Sequence, residues 1–239
     1  MSEVAFRPPP PGTQPEYLCD AYRSSSKRAP KMALVPLELT ETERRGPRFS
    51  PRLYAPLPDL SRVEGREAIG ERIIVSGTVR GEDGRPIAGT MIELWQANAS
   101  GRYHHDRDEH DAPIDPGFRG EGRVFTDDDG RYQFVTIKPG AYPWKNHPNA
   151  WRPNHIHFSL FGDAYASRLI TQMYFPGDPL LAHDPIFQSI PDEGARARLV
   201  ASLDLALARP DWALGYTFDI VLRGPGATPL EAPKGGTWT

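Results

Sequence analysis

Two histidines one residue apart, His155 and His157, open a run that alternates polar and apolar through Ile156, Phe158, Ser159 and Leu160. Alternation with a period of two predicts a half-buried β-strand. Side chains at i and i+2 of a strand share a face, so the two imidazoles point together and Ile156 and Phe158 point away. At a rise of about 3.3 Å per residue the pair starts roughly 7 Å apart, close enough for both rings to reach one metal ion. Pro153 limits the approach to an extended or turn conformation, and Arg152 stands beside it. Same-face strand histidines also occur at surfaces and in packing roles, so the pair alone leaves metal and non-metal readings open. Tyr103 and Tyr142 each follow a predicted strand end, where a loop on a rigid scaffold can present a side chain. Each could equally be a rim aromatic with its hydroxyl satisfied. His104, His105 and His110 form a second cluster on paper, in a stretch so charged that it reads as solvated surface.

The elements that must position these residues begin late in the chain. Residues 1 to about 65 show little periodicity, with Pro8 to Pro11 opening in polyproline-like extension. One short strand is possible at Met32 to Leu37. Such a long irregular stretch is uncommon inside a compact domain, and Tyr17, Tyr22 and Tyr54 are apolar enough to pack. The expectation is an extended N-terminal arm over 1–65 that packs on the core or on a partner subunit. Strands follow at Arg72 to Arg80, Thr90 to Ala97, Leu169 to Phe175 and Leu214 to Leu222. Gly122 to Thr126 and Arg131 to Ile137 read as a hairpin around the turn Asp127-Asp128-Asp129-Gly130. One helix is expected near 192 to 207, capped by Asp192, with Leu199, Leu203 and Leu207 on one face. Short strands with turns between them predict a mostly β chain, an antiparallel sandwich over 66–239.

Composition narrows the class. Of 239 residues, 22 are Gly and 26 are Pro, a loop-rich balance, and 38% hydrophobic content can still fill a core. A net charge of −3 gives no general attraction to nucleic acid or anionic membrane. Cys19 is the one cysteine, so an internal disulfide and a Cys-cluster metal site are excluded. No apolar run suits a signal peptide or a membrane span, and a cytoplasmic protein is the expectation.

Four segments, in order, then carry a resemblance: Glu93-Leu94-Trp95-Gln96-Ala97-Asn98-Ala99, Gly101-Arg102-Tyr103, Thr136-Ile137-Lys138-Pro139-Gly140-Ala141-Tyr142-Pro143-Trp144, and Trp151-Arg152-Pro153-Asn154-His155-Ile156-His157-Phe158. They resemble the intradiol ring-cleavage dioxygenases, and the likeness runs from Tyr22 to Gly224. It implies a prealbumin-like sandwich and a non-haem Fe(III) site with Tyr103, Tyr142, His155 and His157 as ligands. It makes Tyr142 the phenolate that leaves when substrate binds, and Arg152 the group that stabilises negative charge as the substrate ketonises. Gln172, Tyr174 and Ile186 match pocket positions, Trp144 packs beside them, and Tyr22 matches a tyrosine that helps receive a ring carboxylate.

The implied substrates are a catechol-type molecule and O2. Within the family the likeness is to members that cleave 3,4-dihydroxybenzoate to 3-carboxy-cis,cis-muconate in aromatic degradation. Those members pair an iron-bearing β subunit with an α subunit, so an α partner is implied. The alternative, a catechol or hydroxyquinol 1,2-dioxygenase, carries an N-terminal helical dimerisation region where this chain has a Pro-rich arm. A non-catalytic sandwich that binds ligands would have no reason to place two tyrosines with the histidine pair. Asn154 and Lys145 depart from the residues common in the family at those places, and neither is a ligand position.

The implied donor set is chemically consistent. Phenolate is a hard anionic donor suited to a hard trivalent cation, and two phenolates with one hydroxide balance its charge. Tyrosine is protonated at neutral pH until such a cation lowers its pKa. Zinc takes Cys, His and carboxylate rather than paired tyrosines, and the carboxylate of a ferrous facial triad is absent from the motif.

Overall fold

The structure, a computed structural model, describes residues 9–33, 50–146, 149–161 and 169–231. A four-residue helix, Ser25–Arg28, precedes a small hairpin of β1 (Arg62–Val63) and β2 (Arg66–Glu67). Then come β3 (Arg72–Arg80), β4 (Met91–Trp95), β5 (Glu121–Phe125) and β6 (Arg131–Ile137). A second small hairpin, β7 (Tyr142–Trp144) with β8 (Ala150–Arg152), leads into β9 (His155–Phe161) and β10 (Leu169–Tyr174). The helix Glu193–Ala197 separates these from β11 (Ser202–Leu203), β12 (Leu214–Thr217) and β13 (Ile220–Val221).

Two sheets enclose one apolar core, as a sandwich requires. The first is antiparallel throughout, in the order β10-β9-β4-β5. The second is built on β3, which pairs antiparallel with β6 and parallel with β12 and β13. Ile92, Leu94, Ile156, Phe158 and Leu160 from the first sheet share the core with Ile73, Val75, Val79 and Phe134 from the second. Leu60, just ahead of β1, is fully buried in the same core. Among the described residues no helix is long and apolar enough to cross a membrane.

Four expectations are revised by the structure. The strand from His155 is buried on both faces rather than half-buried. β4 and β10 flank it, and the polar face of His155, His157 and Ser159 is covered by other segments.

The turn at Asp127–Gly130 forms, with Gly130 at φ +72°, but it joins no hairpin. β5 pairs with β4 and β6 with β3, so the turn is a corner between the sheets. Turn chemistry specifies the local bend, not the partner of the outgoing strand.

The helix near 192 to 207 ends at Ala197. Asp192 does cap it, accepting from the Ala195 N–H at 2.6 Å. Beyond it the Tyr174 N–H donates to Leu199 O and the Ala201 N–H donates to Tyr174 O, so the edge of β10 claims that backbone. Leu199 is buried and Leu203, in β11, is 51% exposed. Tertiary pairing overrides the i, i+4 leucine spacing.

The strand expected over 214–222 is broken at Phe218-Asp219, where the Asp219 carboxylate accepts from both the N–H and the hydroxyl of Thr78. The possible strand at 32 to 37 lies, from residue 34 on, outside the described residues.

Phe158 is the pivot between core and site. It has no exposed surface, and its ring lies 5.2 to 5.9 Å from those of Tyr132, Phe134 and Phe218. Replacing Phe158 by Ala is expected to cost about 3–5 kcal/mol, read as a lowered urea midpoint with an unchanged slope.

Candidate functional site

The register of the first sheet sets the site. β9 runs between its neighbours so that His157 stands opposite Trp95 on β4 and Gln172 on β10, and His155 stands opposite Tyr174. The two imidazoles therefore emerge together, with ring centroids 4.8 Å apart. Each is oriented through its Nδ1. That of His155 lies 2.6 Å from the Pro153 carbonyl, and that of His157 lies 2.9 Å from the Glu231 carboxylate. Donation from both Nδ1 atoms turns both Nε2 lone pairs inward. The Trp95 indole stacks on the His157 ring at 4.7 Å and 6°.

The two tyrosines arrive from loops that touch. Gly140 lies so close to the 99–101 turn that a Cβ on it would be 2.3 Å from the Ala99 carbonyl oxygen. Gly101, at φ +77°, would place a Cβ 2.2 Å from the Ala141 carbonyl oxygen. Only glycine permits this mutual approach. Asp108 anchors the first loop further, accepting from the Tyr103 N–H at 2.7 Å. The result is a ring of four donors. Tyr103 Oη lies 3.5 Å from Tyr142 Oη and 3.2 Å from His157 Nε2, and Tyr142 Oη lies 3.3 Å from His155 Nε2.

Those spacings fit one ion. Two donors each about 2.1 Å from a common centre, at roughly 90–120°, stand about 3.0–3.6 Å from one another. Burial raises both phenols above their ordinary range. For Tyr103 the neighbouring Tyr142 adds to that shift, and for Tyr142 the Arg152 charge opposes it. The phenols thus keep their protons until a cation supplies what burial has removed. Among the described residues no three His, Cys, Asp or Glu side chains are arranged to hold a metal, so His104, His105 and His110 do not form a rival site.

A second cluster lies behind the ring. Arg152 pairs with Tyr142 across the β7–β8 hairpin. Its guanidinium is buried, and its Nη2 donates to Gln172 at 2.6 Å. Its Nε lies 3.1 Å from the Asp184 carboxylate, also fully buried. The Tyr174 hydroxyl donates to the same Gln172 oxygen at 2.7 Å. Burial disfavours the charge on Arg152, but Asp184, together with Tyr142, Tyr174 and Glu231, outweighs it and holds the pKa well above the ordinary arginine value. Removing one partner of such a buried pair costs about 3–5 kcal/mol.

The arm supplies a third group. Tyr22 is buried against Ile186, with Trp144 packed alongside at 5.3 Å between rings. The Trp144 ring also lies 5.4 Å from the Arg152 guanidinium, which joins the second group to the third. Tyr103, Tyr142 and Trp144 line a cleft of about 650 Å3 whose other walls include Asp108, His110 and Trp151.

The ten residues that the resemblance assigned to the site thus fall in one connected region. Missed were Asp184 and Glu231, each in a segment without periodicity, and the stacking role of Trp95, which lay within a quoted motif.

With the fold and the donors defined, comparison with known proteins places the chain. The family profile described as "Dioxygenase" matches residues 44–224. The chain belongs to this family, the intradiol ring-cleavage dioxygenases. A second profile, "Protocatechuate 3,4-dioxygenase beta subunit N terminal", matches residues 6–40. The protocatechuate 3,4-dioxygenase beta chain of Burkholderia cepacia is 56% identical over 222 residues, 92% of this chain and 94% of that one. The alpha chain from the same organism is 31% identical over 183 residues, 75% of this chain and 81% of that one. The crystal structure of 3-chlorocatechol 1,2-dioxygenase from Rhodococcus opacus 1CP superposes with a TM-score of 0.55 at 26% identity, covering 74% of this chain and 70% of that one.

The loop contact offers a direct test. Gly140→Ala is expected to push the two tyrosine loops apart. Ring-cleaving activity should fall by about 10²-fold, the scale of a 1 Å misplacement, while the circular dichroism spectrum stays native. Unchanged activity would show that the loop approach does not position the phenols.

Proposed function

We propose that this chain is the iron-bearing β subunit of an enzyme that cleaves protocatechuate with O2 to 3-carboxy-cis,cis-muconate, in aromatic-compound degradation. The observation that carries the proposal is the convergence of Tyr103, Tyr142, His155 and His157, with neighbouring donors 3.2 to 3.5 Å apart. The identity of 56% to a protocatechuate 3,4-dioxygenase beta chain supports the substrate.

In this reading Tyr103, Tyr142, His155 and His157 hold Fe(III). The ion, when bound, supplies a trivalent Lewis acid that acidifies and polarises a chelated catechol toward O2. Tyr142 would be the phenolate that gives way to substrate, and its Oη would accept a proton from a substrate hydroxyl. Arg152 directs fixed positive charge at the oxygen that gains negative character during ketonisation. Gln172 and Asp184 hold the guanidinium, so little reorganisation is needed at that moment. Ile186 and Trp144 wall the ring, Tyr174 lines the pocket beside Gln172, and Tyr22 receives the ring carboxylate.

The same reading makes residues 1–65 an arm packed on a catalytic sandwich of 66–239, supported by the burial of Tyr22 and Leu60. It also gives the chain an α-subunit partner, as the paired alpha and beta chains of Burkholderia cepacia suggest. A cytoplasmic location suits a chain whose one cysteine leaves no internal disulfide.

Co-expressed with an α chain in iron-replete cells, the protein should purify red-brown, because ferric phenolates absorb visible light. It should convert protocatechuate to the carboxymuconate. Tyr103→Phe should shift the band and lower activity by at least about 10²-fold, as loss of a positioning contact does. A colourless, iron-free preparation would defeat the proposal.

A further inference from the structure

The family profile ends at residue 224, yet one group against the donor ring lies beyond it. Glu231 reaches His157 from the chain segment that follows β13. Its carboxylate lies 2.9 Å from His157 Nδ1, and the two side chains are 5% and 1% exposed. This is a built contact rather than a chance one, because the segment is tied down along its length. The Thr228 N–H donates to Val221 O at 2.8 Å, and the Arg198 Nε donates to Ala227 O at 3.0 Å. The Thr171 hydroxyl donates to Pro229 O at 2.7 Å, and the Glu231 N–H donates to Ile170 O at 2.7 Å. Gln14 of the N-terminal arm accepts from the Leu230 N–H at 2.9 Å.

We infer that Glu231 is the positioning residue for His157: it accepts the Nδ1 proton and so commits the Nε2 lone pair to the donor ring. The inference rests on the metal-site reading above. A neutral imidazole carries one N–H, and which nitrogen bears it is set by the partner that accepts it. With the proton on Nδ1, the nitrogen 3.2 Å from Tyr103 Oη is the one with a lone pair to give. A carboxylate in that place also raises the basicity of the ligand nitrogen. His155 is held differently, by the Pro153 backbone carbonyl, which no side-chain substitution removes. The two ligand histidines therefore differ in kind, one held by local backbone and one by a distant side chain. Trp95 stacked on the His157 face prevents the ring from tilting but cannot choose its tautomer. That choice falls to Glu231.

The test compares two variants in the iron-loaded enzyme, co-expressed with its α partner. Glu231→Gln keeps an acceptor oxygen at nearly the same place. Glu231→Met keeps the volume and removes the acceptor, so the tail still packs. The readouts are iron per chain, the rate of iron loss to EDTA, and the position of the visible phenolate band. The methionine variant is expected to lose iron about 10–100-fold faster, the usual effect of deleting a ligand's hydrogen-bond partner, and to show a shifted band. The glutamine variant should stay close to wild type. The methionine variant, which orphans one buried N–H, should lower the thermal midpoint of iron-free protein by a few degrees, with a native circular dichroism spectrum. Equal iron loss and equal bands in all three proteins would overturn the inference while leaving the metal site intact. A glutamine variant as leaky as the methionine one would overturn the tautomer role. A wild type that binds no iron would overturn the metal-site reading as well, which separates the two failures.

Discussion

A strand buried on both faces must satisfy every polar group it carries, and β9 carries two histidines and a serine into the interior. That requirement organises the molecule. On one face Ile156, Phe158 and Leu160 close the sandwich core. On the other, His155 and His157 need acceptors for their N–H groups and partners for their lone pairs. The acceptors come from Pro153 and Glu231, and the lone pairs meet Tyr142 and Tyr103. A polar network this deep is stabilising only when fully matched. The phenols resist ionisation in that setting, so a cation is the natural completion of the ring.

Charge is handled by separation. The donor ring is anionic in character once its phenols ionise, and the positive charge of Arg152, opposite Tyr142 in the β7–β8 pair, acts on both phenols. Arg152 is in turn neutralised by Asp184 rather than by solvent. The interior thus holds an ordered sequence of charges, each fixed by hydrogen bonds to neighbours. Such an arrangement is already in place before substrate arrives, which is what electrostatic preorganisation demands.

Much of this was legible in the residues. Period-two alternation located β9 and the shared face of its histidines, and β3 and β6 matched their expected spans of 72–80 and 131–137. The four quoted segments located the tyrosines. What failed was pairing over distance. The Asp127–Gly130 turn does not reveal that its flanking strands enter different sheets, and the leucines at 199, 203 and 207 do not reveal that Tyr174 captures the backbone between them. Asp184 and Glu231 escaped for the same reason. A lone carboxylate in an irregular segment gains its meaning only from the side chain it meets, here 32 and 74 residues away in sequence.

The double commitment of β9 bears on how the enzyme can diversify. From His155 to Leu160 every side chain is buried, Ile156, Phe158 and Leu160 in the core and His155 and His157 at the ring, and Trp95 and Gln172 flank the strand as closely. Ile156, Phe158 and Leu160 could not change without disturbing the core, nor His155 and His157 without disturbing the ring. In the proposed reading, adaptation to a new ring substituent would fall to the surroundings of the strand: the arm around Tyr22, the β7–β8 hairpin with Trp144, and the stretch bearing Ile186. The strand that would hold the chemistry is thus fixed twice over, and a change of substrate preference would fall to the residues packed around it.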